Sequence, residues 1–228
     1  MSTAAGPKRI VLRIGGSVLG SPPKAKLLLG YIDVIQEARK QGHSVGVVVG
    51  GGQVARSFIA SARELGLARE YQDMVAIEAS RLNARLAAMK LNVKRVSTTI
   101  QGMIAELDKN KVGVMGGLRP GITTDTVGAI LADAWHADLL IKASDQDGIY
   151  TADPRTDKDA KLVHSLPYNE FVKILGGSDH RPGIHSIVDP VAVRFIAKHK
   201  LQLVVTNGFF PGNVRKAMLG ERVGTLVS

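Results

Sequence analysis

The sequence predicts an α/β fold, a three-layer α/β/α sandwich around a mostly parallel central sheet. Three observations predict it. Short apolar runs alternate with stretches of helical spacing along the chain, three of those runs end in paired or tripled glycines, and the last glycine cluster leads into residue types that start helices.

The elements follow in order. Arg9 to Ile14 reads as a buried strand running into Gly15, Gly16 and Ser17, and Lys24 to Lys40 has helical spacing. Val45 to Val49 is a second strand, ending in Gly50, Gly51 and Gly52 before a helix from Gln53 to Leu65. Tyr71 to Lys90 reads as a helix, Lys94 to Thr98 as a weak strand and Gln101 to Leu107 as a short helix. Val112 to Met115 is a strand, Thr124 to His136 a helix and Asp138 to Lys142 a strand. Pro167 to Leu175 and Val188 to Lys198 are helices; Leu201 to Val205 is a strand, followed by a terminal helix and strand. The segments from Ser144 to Val163 and from Gly176 to Ile187 are long loops rich in Gly, Pro and charge, and either could act as a lid.

The glycine clusters point to an anion. Glycine lets backbone approach a ligand closely, and Thr123, Thr124 and Asp125 stand where free N–H groups and the positive end of a helix dipole favour a phosphate. In open α/β sheets ligands bind at the carboxyl ends of strands, so three such loops can converge on one polyphosphate. Read alone, each cluster is also an ordinary turn with an ordinary helix cap.

Composition sets limits. With 228 residues, 45% hydrophobic and 22% charged, the chain can bury a sizeable core and fits one large domain or two small lobes. No apolar run approaches the ~20 residues that cross a bilayer, and Met1 to Pro7 lacks the apolar core of a secretory signal, so the expected location is the cytoplasm, without membrane contact. The chain has no cysteine, and its six histidines lack ligand spacing, which argues against zinc. The formal charge of +10 is spread along the chain and aromatics are 4%, a pattern that suits a solvated basic surface or nucleotide phosphates better than nucleic acid. Gly50 to Ala55 satisfies a dinucleotide fingerprint, but no strand precedes the acids about 20 residues on. Asp145 to Gly148 suggests a calcium loop but lacks the glutamate at the twelfth position.

Five ordered motifs carry a family resemblance: Arg13 to Ser17; Gly50 to Gly52 with Arg56; Ala79 to Ala84; Gly116-Gly117 through Thr124-Asp125; and Asp147 to Pro154. Together they resemble the amino acid kinase superfamily, and within it the UMP kinases (uridylate kinases) of archaeal type. The resemblance covers nearly the whole chain. It implies transfer of the γ-phosphoryl group of ATP, carried with Mg2+ on its phosphates rather than on protein ligands, to UMP in pyrimidine nucleotide biosynthesis. It also implies a single domain over 1–228 and a homohexamer built from dimers, with the acceptor site mainly in the N-terminal part and the ATP site mainly in the C-terminal part.

Residue by residue, the resemblance implies catalytic roles for Arg13, Arg56, Asp125 and Lys142, with Asp125 orienting a cation. ATP would meet Gly15, Gly16, Ser17, Gly52, Arg56, Ser144, Asp145, Tyr150 and Asp153. UMP would meet Gly51, Asp73 through its ribose, and the loop of Leu118, Arg119, Pro120, Gly121, Ile122, Thr123 and Thr124. Local sequence alone reads Arg56 as a surface arginine, Asp73 as a helix-start acid and Asp153 as a turn residue before Pro154. Arg13 stands where the family often has lysine; it keeps the charge but presents a planar fork. Asp145 stands where archaeal relatives often have asparagine.

Other readings share the fold. Isopentenyl phosphate kinases resemble this chain but carry a histidine soon after the triple glycine, and Gln53 to Phe58 has none. A nucleotide-sensing regulator or an oxyanion-storage protein could also use the scaffold without catalysis.

Overall fold

The protein is described by a computed structural model covering residues 6–177 and 187–228. The expected lid at Gly176 to Ile187 falls mostly on 178–186, outside the described residues, and His180 and His185 lie there too. The first half comprises β1 (Arg9–Ile14), the single-turn α1 (Gly16–Leu19), α2 (Ala25–Lys40), β2 (Ser44–Val49), α3 (Gly52–Glu64), α4 (Arg69–Lys90) and α5 (Ile100–Asn110). The second comprises β3 (Val112–Met115), α6 (Thr124–Ala134), β4 (Leu139–Ser144), β5 (Ser165–Leu166), α7 (Tyr168–Leu175), α8 (Pro190–His199), β6 (Leu203–Asn207), α9 (Pro211–Met218) and β7 (Thr225–Val227).

The strands form one sheet in the order β3-β2-β1-β4-β6-β7-β5, parallel except where β7 runs against β6. Each parallel strand feeds a helix that must cover the sheet, and the strand period of two decides which side chains go to which layer. On β1, Ile10, Leu12 and Ile14 enter the core beneath α2, α4 and α9, while Val11 enters the core beneath α5, α6 and α8. On β4, Leu139, Ile141 and Ala143 join the first layer and Leu140 the second. This is the expected α/β/α sandwich.

Two local expectations change. Lys94 to Thr98 is not a strand: Ser97 alone bridges to Met115, its N–H donating to Val114, while Lys94 and Arg95 stay in solvent where a ladder would have placed charge against the sheet. The C-terminal strand is antiparallel to β6 and separates it from β5, a two-residue strand too short for periodicity to reveal.

Candidate active site

The site begins with the pleat. Arg13 and Lys142 are register partners on adjacent parallel strands, and both fall on the α6 layer. Two cations side by side at the carboxyl end of a sheet repel each other unless an anion lies between them. The first turn of α6 supplies it: Asp125 Oδ1 lies 2.7 Å from Arg13 Nε and accepts a short hydrogen bond from Lys142 Nζ, while its Oδ2 accepts from the Asp189 N–H at 3.3 Å. Arg13 also donates from Nη2 to Thr124 Oγ1 at 3.0 Å.

Burial governs the titration of these groups. It opposes ionisation of Asp125, but the Arg13 and Lys142 charges and the hydrogen bonds from Lys142 and Asp189 outweigh it and hold the carboxyl below its ordinary value. Lys142 is pulled down to about 8, first by burial and then by Arg13, with Asp125 opposing both. The result is a largely buried cation pair tied to one carboxylate.

The first two glycine loops meet beside it. A Cβ on Gly16 would lie 2.1 Å from the Gly52 nitrogen, and Gly52 has a φ of +61°, so neither position accepts a side chain without moving the other loop. They border a cavity of about 510 Å³ with Gly15, Ser17, Arg13, Lys142 and Asp125, which Ser144, Asp145, Gly51 and Arg56 also line. Arg56 is exposed, donating to Gln53 at 3.0 Å and approaching the Ser17 hydroxyl at 3.5 Å.

The third cluster serves a different purpose. Gly116 and Gly117 pack on α4, where a Cβ on Gly116 would come within 2.8 Å of the Arg81 nitrogen. The motif Ser80-Arg81-Asn83 explains the arrangement. Ser80 Oγ accepts from the Gly117 N–H at 2.6 Å, Arg81 donates to the carbonyls of Gly117 and Leu118, and buried Asn83 donates to the carbonyls of Gly50 and Gly51. One helix thus positions two loops.

The 118–124 loop lies between these supports. Asp73 Oδ2 accepts from the Gly121 N–H at 2.8 Å, so this acid reaches the loop from α4. Thr123 caps α6, accepting from the N–H groups of Asp125 and Thr126, and donates to Asp189 at 2.7 Å. Asp125 is therefore inside the first turn, not the cap. Leu118 and Pro120 border an apolar cavity of about 560 Å³ with Val54, Phe58, Met74 and Leu82, while Arg119 is exposed.

Tyr150 and Asp153 are not in the lining of the glycine-loop cavity. They line a small cavity next to it that shares Gln146 and Ile187. Asp153 forms a two-pronged pair with Arg155, at 3.0 and 2.9 Å, and Tyr150 donates to Asp147 at 3.2 Å. Sequence reasoning missed Asp189, which accepts from Thr123 and Thr126 and caps α8 through Val191 and Ala192. Its only signal was its place one residue before a helix-starting proline.

Glycine loops, a helix N-terminus and clustered cations are the parts needed to hold a polyphosphate and offset charge on its oxygens. Comparison with known proteins agrees. Residues 8–207 match the Amino acid kinase family. The uridylate kinase of Hyperthermus butylicus is 39% identical over 96% of this chain and 97% of its own length, and that of Archaeoglobus fulgidus 37% over 96% and 100%. The crystal structure of the latter aligns with a TM-score of 0.86, covering 96% of this chain and 99% of that one. That of the UMP kinase of Bacillus anthracis, at 24% identity, aligns with 0.82 over 98% and 97%, a likeness of fold. On the matched family, the ordered motifs and the shared architecture, this chain belongs to the amino acid kinase family.

Proposed function

We propose that this protein transfers the γ-phosphoryl group of ATP to UMP, giving ADP and UDP for pyrimidine nucleotide biosynthesis. The observation that carries the reading is the Arg13–Asp125–Lys142 cluster beside two mutually packed glycine loops, in a chain whose relatives are uridylate kinases. A UMP phosphate oxygen attacks the γ-phosphorus, the bond from that phosphorus to the bridging oxygen breaks, and ADP leaves with the electron pair. UMP is already ionised, so no general base is required.

Each group then has a task. The loop at Gly15 to Ser17 and Gly52 cradle ATP phosphates and Gly51 meets UMP, while Arg13 and Lys142 balance charge on the transferring group, oriented by Asp125. Arg56 reaches phosphate oxygens from solvent. Ser144, Asp145, Tyr150 and Asp153 hold adenosine, the last two from the adjoining small cavity. Asp73 exchanges its Gly121 contact for a ribose hydroxyl, and Leu118 to Thr124 wrap UMP. Mg2+ would be held through the polyphosphate oxygens of ATP, whose charge it would neutralise, rather than by a cluster of protein ligands. We also propose one working domain, acceptor-binding mainly in its N-terminal part and ATP-binding mainly in its C-terminal part, acting in the cytoplasm as a homohexamer. Among the described residues no helix is long and apolar enough to cross a membrane.

The apolar cavity beside Leu118 and Pro120 favours a second reading, an acceptor phosphate with an apolar tail such as isopentenyl phosphate. Initial rates of ADP release with UMP, CMP, AMP and isopentenyl phosphate separate them. The proposal expects UMP to lead by at least about tenfold; equal turnover of the nucleotides, or a faster isopentenyl phosphate, contradicts it.

A further inference from the structure

The wall of the glycine-loop cavity carries a charge of the wrong sign for a polyphosphate. Asp145, directly after β4, lines it with Gly15, Gly16, Ser17, Gly52 and Lys142. A carboxylate there repels phosphate unless a cation offsets it. Arg13 and Lys142 are committed to Asp125, and Asp145 forms no ion pair among the described residues. Its hydrogen bond comes from the neutral Ser144 hydroxyl at 3.2 Å. Of the other two cations on the wall, Arg56 donates to Gln53 near Ser17, which leaves Arg155.

Arg155 is held by Asp153. The Asp153 Oδ1 accepts from the Arg155 backbone N–H and from Nε, both at 3.0 Å, and Oδ2 accepts from Nη2 at 2.9 Å. Pairing a carboxylate that is 5% exposed would be purpose enough for an arginine, but two observations go further. The Arg155 side chain is 52% exposed instead of sharing the burial of its partner, and it lines the cavity that Asp145 lines. The fork grips Asp153 by one edge, so Nη1 keeps its N–H groups without a hydrogen bond among the described residues. The Asp153 hydrogen bond first, and then the charges of Asp153 and Asp145, hold the guanidinium above its ordinary value against desolvation. Arg155 thus feels both carboxylates while bonding to one.

We propose that Arg155 is a positioning residue of the donor site: anchored on Asp153, it offsets the charge of Asp145, so that the glycine loops can hold a triphosphate beside a carboxylate. This role rests on the reading of the cavity as the ATP site. Its effect is one of charge, so it grows with the number of phosphates on the donor.

Titration calorimetry with a non-hydrolysable ATP analogue tests it through a double-mutant cycle. Arg155→Gln, which keeps a donor for Asp153 and removes the charge, should raise the Kd by about tenfold, and Arg155→Lys, which keeps the charge, by no more than about threefold. Adding Asp145→Asn to Arg155→Gln should restore most of the affinity, and the loss in Arg155→Gln should shrink from the analogue to ADP to adenosine; a merely structural link to Asp153 would show neither. Asp145→Asn alone should tighten the analogue by about threefold, an arm that needs no change at Arg155. An unchanged Kd in Arg155→Gln, a loss that Asp145→Asn does not relieve, or no tightening in Asp145→Asn overturns the proposal. A parent that binds no analogue contradicts the ATP reading of the cavity and the role of Arg155 with it, whereas a parent that binds, with variants whose effects simply add, contradicts the role of Arg155 alone.

Discussion

Lys142 Nζ donates to Asp125 Oδ1, the same oxygen that Arg13 Nε approaches at 2.7 Å. Because Thr123 is the cap of α6, Asp125 does not cap its own helix; it contributes a charge between Arg13 and buried Lys142 and accepts from the Asp189 N–H. Asp125→Asn should therefore lower stability as well as turnover. Leaving Arg13 and Lys142 uncompensated should cost at least about 2 kcal/mol, or roughly 5 °C in Tm. The loss of a preorganised electrostatic partner should depress kcat by ~10²-fold. Kinetics beside a melting curve check both, and parental kcat would leave Asp125 a purely structural link.

The depressed Lys142 sets a pH dependence. Lys142 is charged below its value of about 8 and neutral above it, so the cation is present at low pH and lost as pH rises. The profile of kcat/KM, which reports the free enzyme, should fall on an alkaline limb near 8. Bound polyphosphate favours the ammonium form, so the limb in kcat should lie higher. Flat profiles to pH 10 would remove Lys142 from the reacting centre.

Arg56 is exposed on α3 at the wall of the glycine-loop cavity, donating to Gln53 and approaching the Ser17 hydroxyl. Arg56→Ala should leave Tm within about 1 °C yet lower kcat/KM at least ~10-fold, the value of ~1.4 kcal/mol for a lost charge-assisted phosphate contact. An unchanged kcat/KM returns Arg56 to the role of a surface residue.

Gly16→Ala places a methyl where the Gly52 nitrogen stands, so one loop must yield. The expected result is a rise of more than ~10-fold in the Kd for ATP, since a displaced loop no longer aims its N–H groups at phosphate. Calorimetric binding equal to that of the parent would mean that the loop contact has no part in nucleotide recognition.

Most of the sandwich was legible because buried parallel strands read as apolar runs and helices keep their period, as at Val45 to Val49 and Ala25 to Lys40. The missed pieces are short or long-range. The single turn of α1 and the two residues of β5 are below any period, and the antiparallel β7 depends on partners far along the chain. Glycine counting placed three loops at one ligand, whereas Gly116 and Gly117 are glycines because Ser80 and Arg81 press against them. The shared Asp125 oxygen needed the register of Arg13 with Lys142, which spacing does not contain. Asp189 was hidden because its partners Thr123 and Thr126 lie more than 60 residues away.

The most direct test is 31P NMR of the protein with ATP, Mg2+ and UMP, which identifies the product rather than the loss of ATP. The account predicts UDP and ADP in equal amounts, with no inorganic phosphate beyond the enzyme-free control. Release of inorganic phosphate without UDP, or unchanged ATP and UMP in the presence of demonstrable nucleotide binding, would contradict it.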